Sequence, residues 1–375
     1  MDILSYITLS SHKLLIAFIG ILGLGLLIGI HELGHFLFCK LFKVSTPTFS
    51  IGFGPRLFSR QIGATKFSIS AIPIGGYVEI AGMAEVAQGE QKEAQRTDQY
   101  SFATKPYYQK VLIMSGGILF NVLFTYIVFC LLFALGLPKT KLLYPLNATP
   151  VIESVAEGSA AESAGIRKGD RLIRFDKTDI NNNIESLIHA IQDKPEQEVD
   201  VLILRDGKEE ITPVTLGKRE FGGKEVGTLG VSFEMTEQHG FPLWTSIKNG
   251  INLTNRFIYG TFQAFKHLFV QRDVSNVSGP LSIIQATAQG ASQGFKIFLI
   301  LLAIISINLA ILNLLPIPIF DGGQILFYTI EAILGRSLPI KIREGIHIVS
   351  WLLILALILY LTGKDIIAML PWFKK

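Results

Sequence analysis

The chain has 375 residues, of which 49% are hydrophobic and only 17% are charged, and its formal net charge is +4. A soluble globular domain normally carries about a quarter charged residues, so this composition predicts a membrane protein. The small net charge, without a dense cluster of lysine and arginine, argues against a nucleic-acid partner.

Four apolar stretches are long enough to cross a bilayer, which takes about 20 residues. They cover residues 14–39, 111–138, 297–320 and 345–363. A cleaved secretory signal is excluded for the first stretch, because it is too long, lacks an Ala-x-Ala-like cleavage site and contains titratable residues. We therefore predict a mainly α-helical membrane protein with four transmembrane helices in the lipid bilayer.

Lysine and arginine residues near the ends of the spans predict the orientation of the chain. They are more numerous in the loops 40–110 and 321–344 than in the two tails and the flanks of the 139–296 loop. Cytoplasmic loops carry the excess of positive charge. Both termini and the 139–296 loop are therefore expected on the outer side of the membrane.

Two segments outside the spans have β-patterns. Residues 48–78 alternate with period two around glycines, which predicts a membrane-associated β-hairpin after the first span. Residues 150–217 combine strand patterns with two short helices and predict a small extramembrane α+β domain. Within it, the run from Ser159 to Ile166, followed by Lys168-Gly169-Asp170, resembles a bacterial PDZ domain.

A third pattern follows this domain. Residues 241–270 place apolar side chains at steps of three and four, which predicts an amphipathic helix. Such a helix packs on protein or lies in the membrane surface, and the aromatic content allows both. The predicted organisation is therefore two spans with the hairpin, the PDZ-like domain, a region with the amphipathic helix, and two further spans, over residues 1–138, 139–220, 221–295 and 296–375.

The first span contains the sequence His31-Glu32-Leu33-Gly34-His35. Residues four apart share one face of a helix, so both imidazoles can bind one metal ion. Glu32 lies beside them and can accept a proton from a water molecule that the metal activates. Inside an apolar span these residues are costly to bury, which indicates a functional site. The alternative, that they only form hydrogen bonds between helices, would not require this spacing. At about 1.5 Å per residue, the histidines lie roughly 7 to 14 Å from the cytoplasmic end of the span at Lys40.

A catalytic zinc ion needs a third protein ligand at the same depth. The segment from Asn313 to Gly323 supplies Asp321 at the cytoplasmic end of the third span, which runs in the same direction as the first. Pro316 and Pro318 are expected to break the helix there, and Gly322-Gly323 to leave the backbone free to turn. An irregular segment at membrane depth is tolerated where it lines a cavity.

Together, the HExxH span, the segment N-x-x-P-x-P-x-x-D-G-G at 313–323 and a PDZ-like insertion between them resemble the site-two protease family. The branch that they resemble is that of the bacterial regulator-of-sigma-E proteases. Residues 49–54, 73–78 and 278–283 also resemble that branch. Two departures are visible: Phe320 stands where the family usually has leucine, and one PDZ-like unit is present where close relatives have two.

The resemblance implies that His31, His35 and Asp321 bind Zn²⁺, that Glu32 is the general base, and that Asn313 binds the substrate backbone or the developing oxyanion. It implies an intramembrane zinc endopeptidase of the bacterial inner membrane. Its substrates would be single-span membrane proteins, such as a truncated anti-sigma factor or remnant signal peptides. The PDZ-like domain and both termini would be periplasmic, and the active site would lie toward the cytoplasm.

Two other interpretations remain open from the sequence. A metal- or proton-coupled transporter can also contain broken helices and buried carboxylates, although no inverted repeat is evident. An inactive membrane scaffold built around the PDZ-like domain would not need Glu32. Binding of zinc and cleavage of a transmembrane substrate would distinguish the three interpretations.

Overall fold

The computed structural model describes residues 3–83, 93, 95–180, 184–221, 224–271 and 277–369. The chain forms two compact units. One consists of Met1–Ala134 together with Pro242–Lys375, and the other of Leu135–Phe241.

Within its described residues, the regular structure of the first unit is helical apart from one hairpin. Its hairpin strands are β1 (Thr48–Ile62) and β2 (Thr65–Val78). Its helices are α1 (Ile3–Leu41), α2 (Tyr107–Leu135), α5 (Leu243–Gln271), α6 (Pro280–Gln293), α7 (Phe295–Leu314), α8 (Asp321–Leu334) and α9 (Ile340–Met369).

Four of these helices are long and apolar enough to cross a membrane, as the sequence predicts. They cover Leu15–Leu41, Tyr107–Leu135, Phe295–Leu314 and Lys341–Ala368. Their outward faces are apolar, as the exposed side chains of Leu26, Leu123 and Leu353 illustrate. A helix satisfies its own backbone hydrogen bonds, which is why such segments are stable in lipid.

The third span is shorter than its apolar stretch predicts. We expected it to reach Phe320, but α7 ends at Leu314 and Leu315 already has an extended backbone. Pro316 causes this, because the residue before a proline is sterically driven out of the helical conformation. The segment predicted as the 321–344 loop also contains a helix, α8, which ends at Gly335 in the left-handed conformation.

The predicted hairpin is present and is more folded than a simple pair of strands. β1 and β2 pair as an antiparallel hairpin, closed by Ile62 opposite Thr65. Residues 49–51 have neighbours on both sides, because they lie opposite 67–69 and also opposite 76–78. Both strands are therefore bent, and the segments 58–62 and 76–78 lie at the two edges of a small sheet.

Helix α5 has the amphipathic character that its sequence predicts. One face packs on α2 and α7: the rings of Phe129 and Phe257 stack with centroids 5.3 Å apart, and Thr261 donates a hydrogen bond to Asn308. The other face exposes aromatic side chains, with 79% of Trp244 and 58% of Phe262 accessible. The helix thus combines a face packed on protein with an aromatic face of the kind found at membrane surfaces.

The second unit is an α+β domain. Its elements are β3 (Ala148–Val155), α3 (Ala160–Ser163), β4 (Arg171–Phe175), β5 (Thr178–Asp179), α4 (Ile184–Gln192), β6 (Glu198–Arg205), β7 (Lys208–Thr215), β8 (Gly217–Phe221), β9 (Lys224–Thr228) and β10 (Val231–Met235), preceded by a short 3₁₀ helix at Lys141–Leu143. The main sheet has the order β10-β3-β4-β6-β7, and β5 pairs with β4. Its core is apolar, with Ile152, Phe175 and Ile203 almost fully buried.

This domain is longer than the segment 139–220 that the sequence suggested. β10 pairs with β3 through Val231 opposite Val155 and Phe233 opposite Ile152, and the compact unit ends at Phe241. The sequence pattern alone did not join β10 to the sheet, because its partner strand lies about 80 residues earlier in the chain. Its identification as a PDZ domain stays a prediction.

Asp170 forms the main ion pair of this domain. Its side chain is almost fully buried, and both carboxylate oxygens accept hydrogen bonds from Arg205, at 2.8 and 2.7 Å. Burial alone would raise the pKa of the Asp170 carboxyl, but the hydrogen bonds from Arg205 and from the backbone N–H of Arg167 outweigh it and hold that pKa below its ordinary value. The ionised pair therefore contributes to the stability of the domain.

We expect Asp170→Asn to destabilise the domain by about 2 kcal/mol, because it leaves the Arg205 guanidinium without its carboxylate. Amide hydrogen exchange of β4 and β6 in the full chain at pH 7 measures this. Because the pKa of Asp170 is lowered in the folded state, wild type should be more stable than the Asp170→Asn variant above about pH 4. This difference in stability should shrink as the pH falls below that value. Asp176→Asn, at the more exposed pair with Lys194, is the control and should destabilise the domain less than Asp170→Asn does. Equal effects of the two changes would contradict the assignment.

Candidate active site

Three side chains from two distant parts of the chain meet in the first unit. His31 and His35 lie one turn apart on α1, and Asp321 is the first residue of α8. His31 Nε2 is 3.2 Å from His35 Nε2, and Asp321 Oδ2 is 3.3 Å from the former and 3.5 Å from the latter. The three atoms form a nearly equilateral triangle, and both histidines are less than 10% exposed.

The triangle has the dimensions of one face of a zinc coordination tetrahedron. Bonds of about 2.0 to 2.1 Å from zinc to nitrogen or oxygen place tetrahedral ligand atoms about 3.3 to 3.4 Å apart. Asp321 Oδ2 is buried and has no hydrogen-bond partner among the described residues. Two imidazole nitrogens and one carboxylate oxygen also form the set of three protein ligands that a catalytic zinc site uses. The arrangement fits a zinc ion held by His31, His35 and Asp321.

A hydrogen bond to α2 fixes the orientation of the His35 ring. Its Nδ1 donates a hydrogen bond of 2.8 Å to the carbonyl oxygen of Ile113 on α2. A carbonyl oxygen can only accept, so the proton is on Nδ1 and the lone pair of Nε2 points into the triangle. A second residue of α2, Asn121, contacts the corresponding nitrogen of His31 at 3.2 Å. No sequence motif marks Asn121, which is a single asparagine within the second apolar stretch.

Glycines allow α2 to approach the histidines this closely. A Cβ atom on Gly117 would lie 2.5 Å from both His35 Nε2 and His31 Cε1, and a Cβ on Gly34 would lie 2.1 Å from the carbonyl oxygen of Gly116. The backbones of α1 and α2 are therefore in direct contact at the site. The Gly116-Gly117 pair thus permits close packing of the two helices, as small residues do in membrane proteins.

Glu32 lies on the side of α1 that faces the hairpin. It is half-buried, and a Cβ atom on Gly76 of β2 would lie 3.6 Å from its Cγ. Farther along α1, a Cβ on Gly25 would lie 2.5 Å from the carbonyl oxygen of Pro73. Strand β2 therefore runs along α1 and brings one edge of the sheet next to Glu32.

Comparison with known proteins matches this arrangement to one family. The sequence profile of peptidase family M50 matches residues 19–357. The chain belongs to peptidase family M50, the site-two protease family. Members of this family are zinc-dependent.

Curated relatives of the chain resemble it over nearly its whole length, and each is named a putative zinc metalloprotease. A protein of Fusobacterium nucleatum is 33% identical over 93% of this chain and 97% of its own length. A protein of Agrobacterium fabrum is 30% identical over 92% of this chain and 94% of its own length. A protein of Campylobacter jejuni is 31% identical over 92% of this chain and 92% of its own length.

In this M50 protein, the glycines after Asp321 do something other than the sequence suggested. We expected Gly322 and Gly323 to leave the backbone free to turn, but both lie within α8 with an ordinary helical backbone. Their function is close approach: a Cβ on Gly322 would lie 2.3 Å from the carbonyl oxygen of Leu314, and one on Gly323 would lie 2.2 Å from that of Ile317. The segment 315–320 is thus packed directly on the start of α8, which fixes the position of Asp321.

Asn313 lies half-buried near the end of α7, two residues before the chain leaves the helix. This places it on the same broken segment as Asp321. Its interaction with substrate stays a prediction, as do the ligand roles of the two histidines and Asp321 and the proton-accepting role of Glu32.

We expect Gly117→Ala to weaken zinc binding by about 100-fold or more, because the added methyl group displaces the imidazoles that it would overlap. Alanine favours the helix, so α2 itself should not be destabilised. Zinc affinity of the purified full-length protein, measured by chelator competition, tests this. Gly345→Ala in α9 is the control, since its Cβ would meet no atom within 4 Å. Wild-type affinity in the Gly117 variant would mean that the site does not depend on this contact.

Proposed function

We propose that this M50 protein is an intramembrane zinc endopeptidase that cleaves single-span membrane proteins within their transmembrane segments. The observation that carries the proposal is the triangle of His31, His35 and Asp321 with Glu32 beside it on a membrane-spanning helix. A transporter would not need a carboxylate placed to accept a proton next to a three-ligand metal site. An inactive scaffold would need neither.

Zinc at this centre would polarise the scissile carbonyl and lower the pKa of water to about 7. Glu32 would accept the proton of the attacking water and return it to the leaving amine nitrogen. Asn313 would donate hydrogen bonds from its amide to the substrate backbone or to the developing oxyanion. His31, His35 and Asp321 act as ligands and hold no substrate themselves.

A transmembrane substrate must be unwound before its backbone can be attacked, because a helix hides its carbonyl groups in its own hydrogen bonds. The sheet edge at residues 76–78 offers a place where an unwound substrate segment would bind. It lies next to Glu32 and could hold an extended segment by strand addition. The irregular backbone on both sides of the site would then be shielded by protein rather than exposed to lipid.

We further infer that the protein belongs to the regulator-of-sigma-E branch and performs regulated intramembrane proteolysis. The segments 49–54, 73–78 and 278–283, with the PDZ-like domain, support this. Substrates would be a truncated anti-sigma factor or remnant signal peptides. The charge distribution of the loops supports a location in the bacterial inner membrane, with both termini and the PDZ-like domain periplasmic and the zinc site toward the cytoplasm.

Glu32→Gln should retain zinc and lose cleavage of a model single-span substrate by a factor of about 100 to 10,000, because glutamine cannot accept the proton. Zinc content and cleavage in detergent or liposomes are the two measurements. His35→Ala is the matched variant and should lose both zinc and cleavage. A Glu32 variant that still cuts at the wild-type rate would exclude the proposed mechanism.

Disulfide cross-linking tests the position of the substrate. A cysteine near the scissile bond of the substrate should cross-link to a Tyr77→Cys variant, at the sheet edge beside Glu32. It should cross-link much less to Phe58→Cys on the opposite edge, although Phe58 is 61% exposed. The reverse preference would place the substrate on the far edge and contradict strand addition next to the site.

A further inference from the structure

Asn121 is a fully buried polar residue behind the zinc site. It lies on α2, one turn after Gly117, and is 0% exposed. Its Nδ2 is 3.2 Å from His31 Nδ1, and its Oδ1 has no hydrogen-bond partner among the described residues. A buried carbonyl oxygen without a hydrogen-bond partner is destabilising, so its presence requires a physical reason.

The reason lies in the protonation of His31. If His31 binds zinc through Nε2, the proton of the neutral imidazole is on Nδ1, which then becomes a donor. His35 meets this condition through the carbonyl oxygen of Ile113. At His31, the Asn121 amide nitrogen lies 3.2 Å from Nδ1, and it is also a donor. Rotating the amide by half a turn places Oδ1 against Nδ1–H and satisfies both groups.

We propose that Asn121 is a positioning residue for His31. With zinc bound, Oδ1 accepts the hydrogen bond from Nδ1–H and holds the ring with its Nε2 lone pair toward the metal. An acceptor oxygen next to Nδ1–H is what this arrangement requires.

The backbone around Asn121 is fixed well enough to support this function. Its carbonyl oxygen accepts a hydrogen bond of 3.0 Å from Ser306 Oγ of α7, and Thr125 Oγ1 lies 3.1 Å from the carbonyl oxygen of Ala303. All three polar side chains, those of Asn121, Thr125 and Ser306, are fully buried. Side chains that hydrogen-bond to backbone between spans hold α2 and α7 in register. The amide can therefore rotate about its own bond while the Cα stays in place.

This inference rests on the proposed zinc site, and its test separates the two. Zinc affinity of the full-length protein is measured by chelator competition for wild type, Asn121→Leu, Asn121→Asp and His31→Ala. We expect Asn121→Leu, which keeps the volume and removes the acceptor, to bind zinc about 10- to 100-fold more weakly. Asn121→Asp supplies an acceptor and should stay within about threefold of wild type or bind more tightly.

Asn308→Leu is the matched control. This substitution also removes an asparagine amide from a span. Asn308 Oδ1 accepts a hydrogen bond from Thr261 of α5, so the change should leave zinc affinity unchanged. The unfolding temperature of each metal-free variant checks that the fold is intact. Should Asn121→Leu not fold, Asn121→Ala is measured in its place.

The outcomes are distinct. Wild-type affinity in Asn121→Leu, or equal losses in the leucine and aspartate variants, would overturn the role of Asn121 and leave the zinc site standing. Unchanged affinity in His31→Ala would show that the proposed site itself is wrong. If zinc affinity is lost in Asn121→Leu and kept in Asn121→Asp, the result supports residue 121 as the acceptor of a hydrogen bond from His31. A purely structural role of Asn121 would not depend on an acceptor at this position.

Discussion

The structure depends on one electrostatic constraint: two imidazole nitrogens and one carboxylate oxygen lie 3.2 to 3.5 Å apart on and beside a membrane-spanning helix. Lone pairs at this distance repel each other unless a cation or a shared proton lies between them. At a protein surface, water would screen the repulsion between these groups. The lipid around α1 does not screen it. The features around the site serve to bring the three atoms together and to hold them there.

The closest of these features is the contact of α1 with α2. Because Gly34, Gly116 and Gly117 have no side chains, peptide groups of α2 form a wall directly against the imidazoles. These peptide groups occupy the space on that side of the imidazoles. The opposite side of α1 carries Glu32 and borders the sheet edge at Gly76. The site is therefore asymmetric, with one side packed against α2 and the other bordered by Glu32 and the hairpin.

Much of this arrangement could be predicted from the sequence, and its limits have physical causes. The HExxH spacing follows from the period of a helix, and the direction of the spans places Asp321 near the same face. Asn121 could not be assigned, because one asparagine in an apolar helix looks the same whether it contacts a ligand or another helix. The two glycines after Asp321 suggested a flexible turn, since sequence does not distinguish free φ angles from close packing. β10 was missed because strand pairing over a long separation leaves no local pattern.

The break between α7 and α8 shows how an irregular segment can exist at this depth. Pro316 and Pro318 have no N–H groups, so the segment 315–320 has two fewer donors to satisfy. The N–H groups of Ile317 and Phe320 donate hydrogen bonds to carbonyl oxygens within the segment. The Gln324 side-chain amide donates to the carbonyl oxygen of Pro318 at 2.7 Å. The break also sets Asp321 at the first position of α8, where the partial positive charge of the helix N-terminus favours the ionised carboxylate. A continuous helix through this region would have placed the same aspartate within a helix, without that stabilisation. The prolines therefore end the span, limit the cost of ending it there, and place Asp321 at the start of a helix.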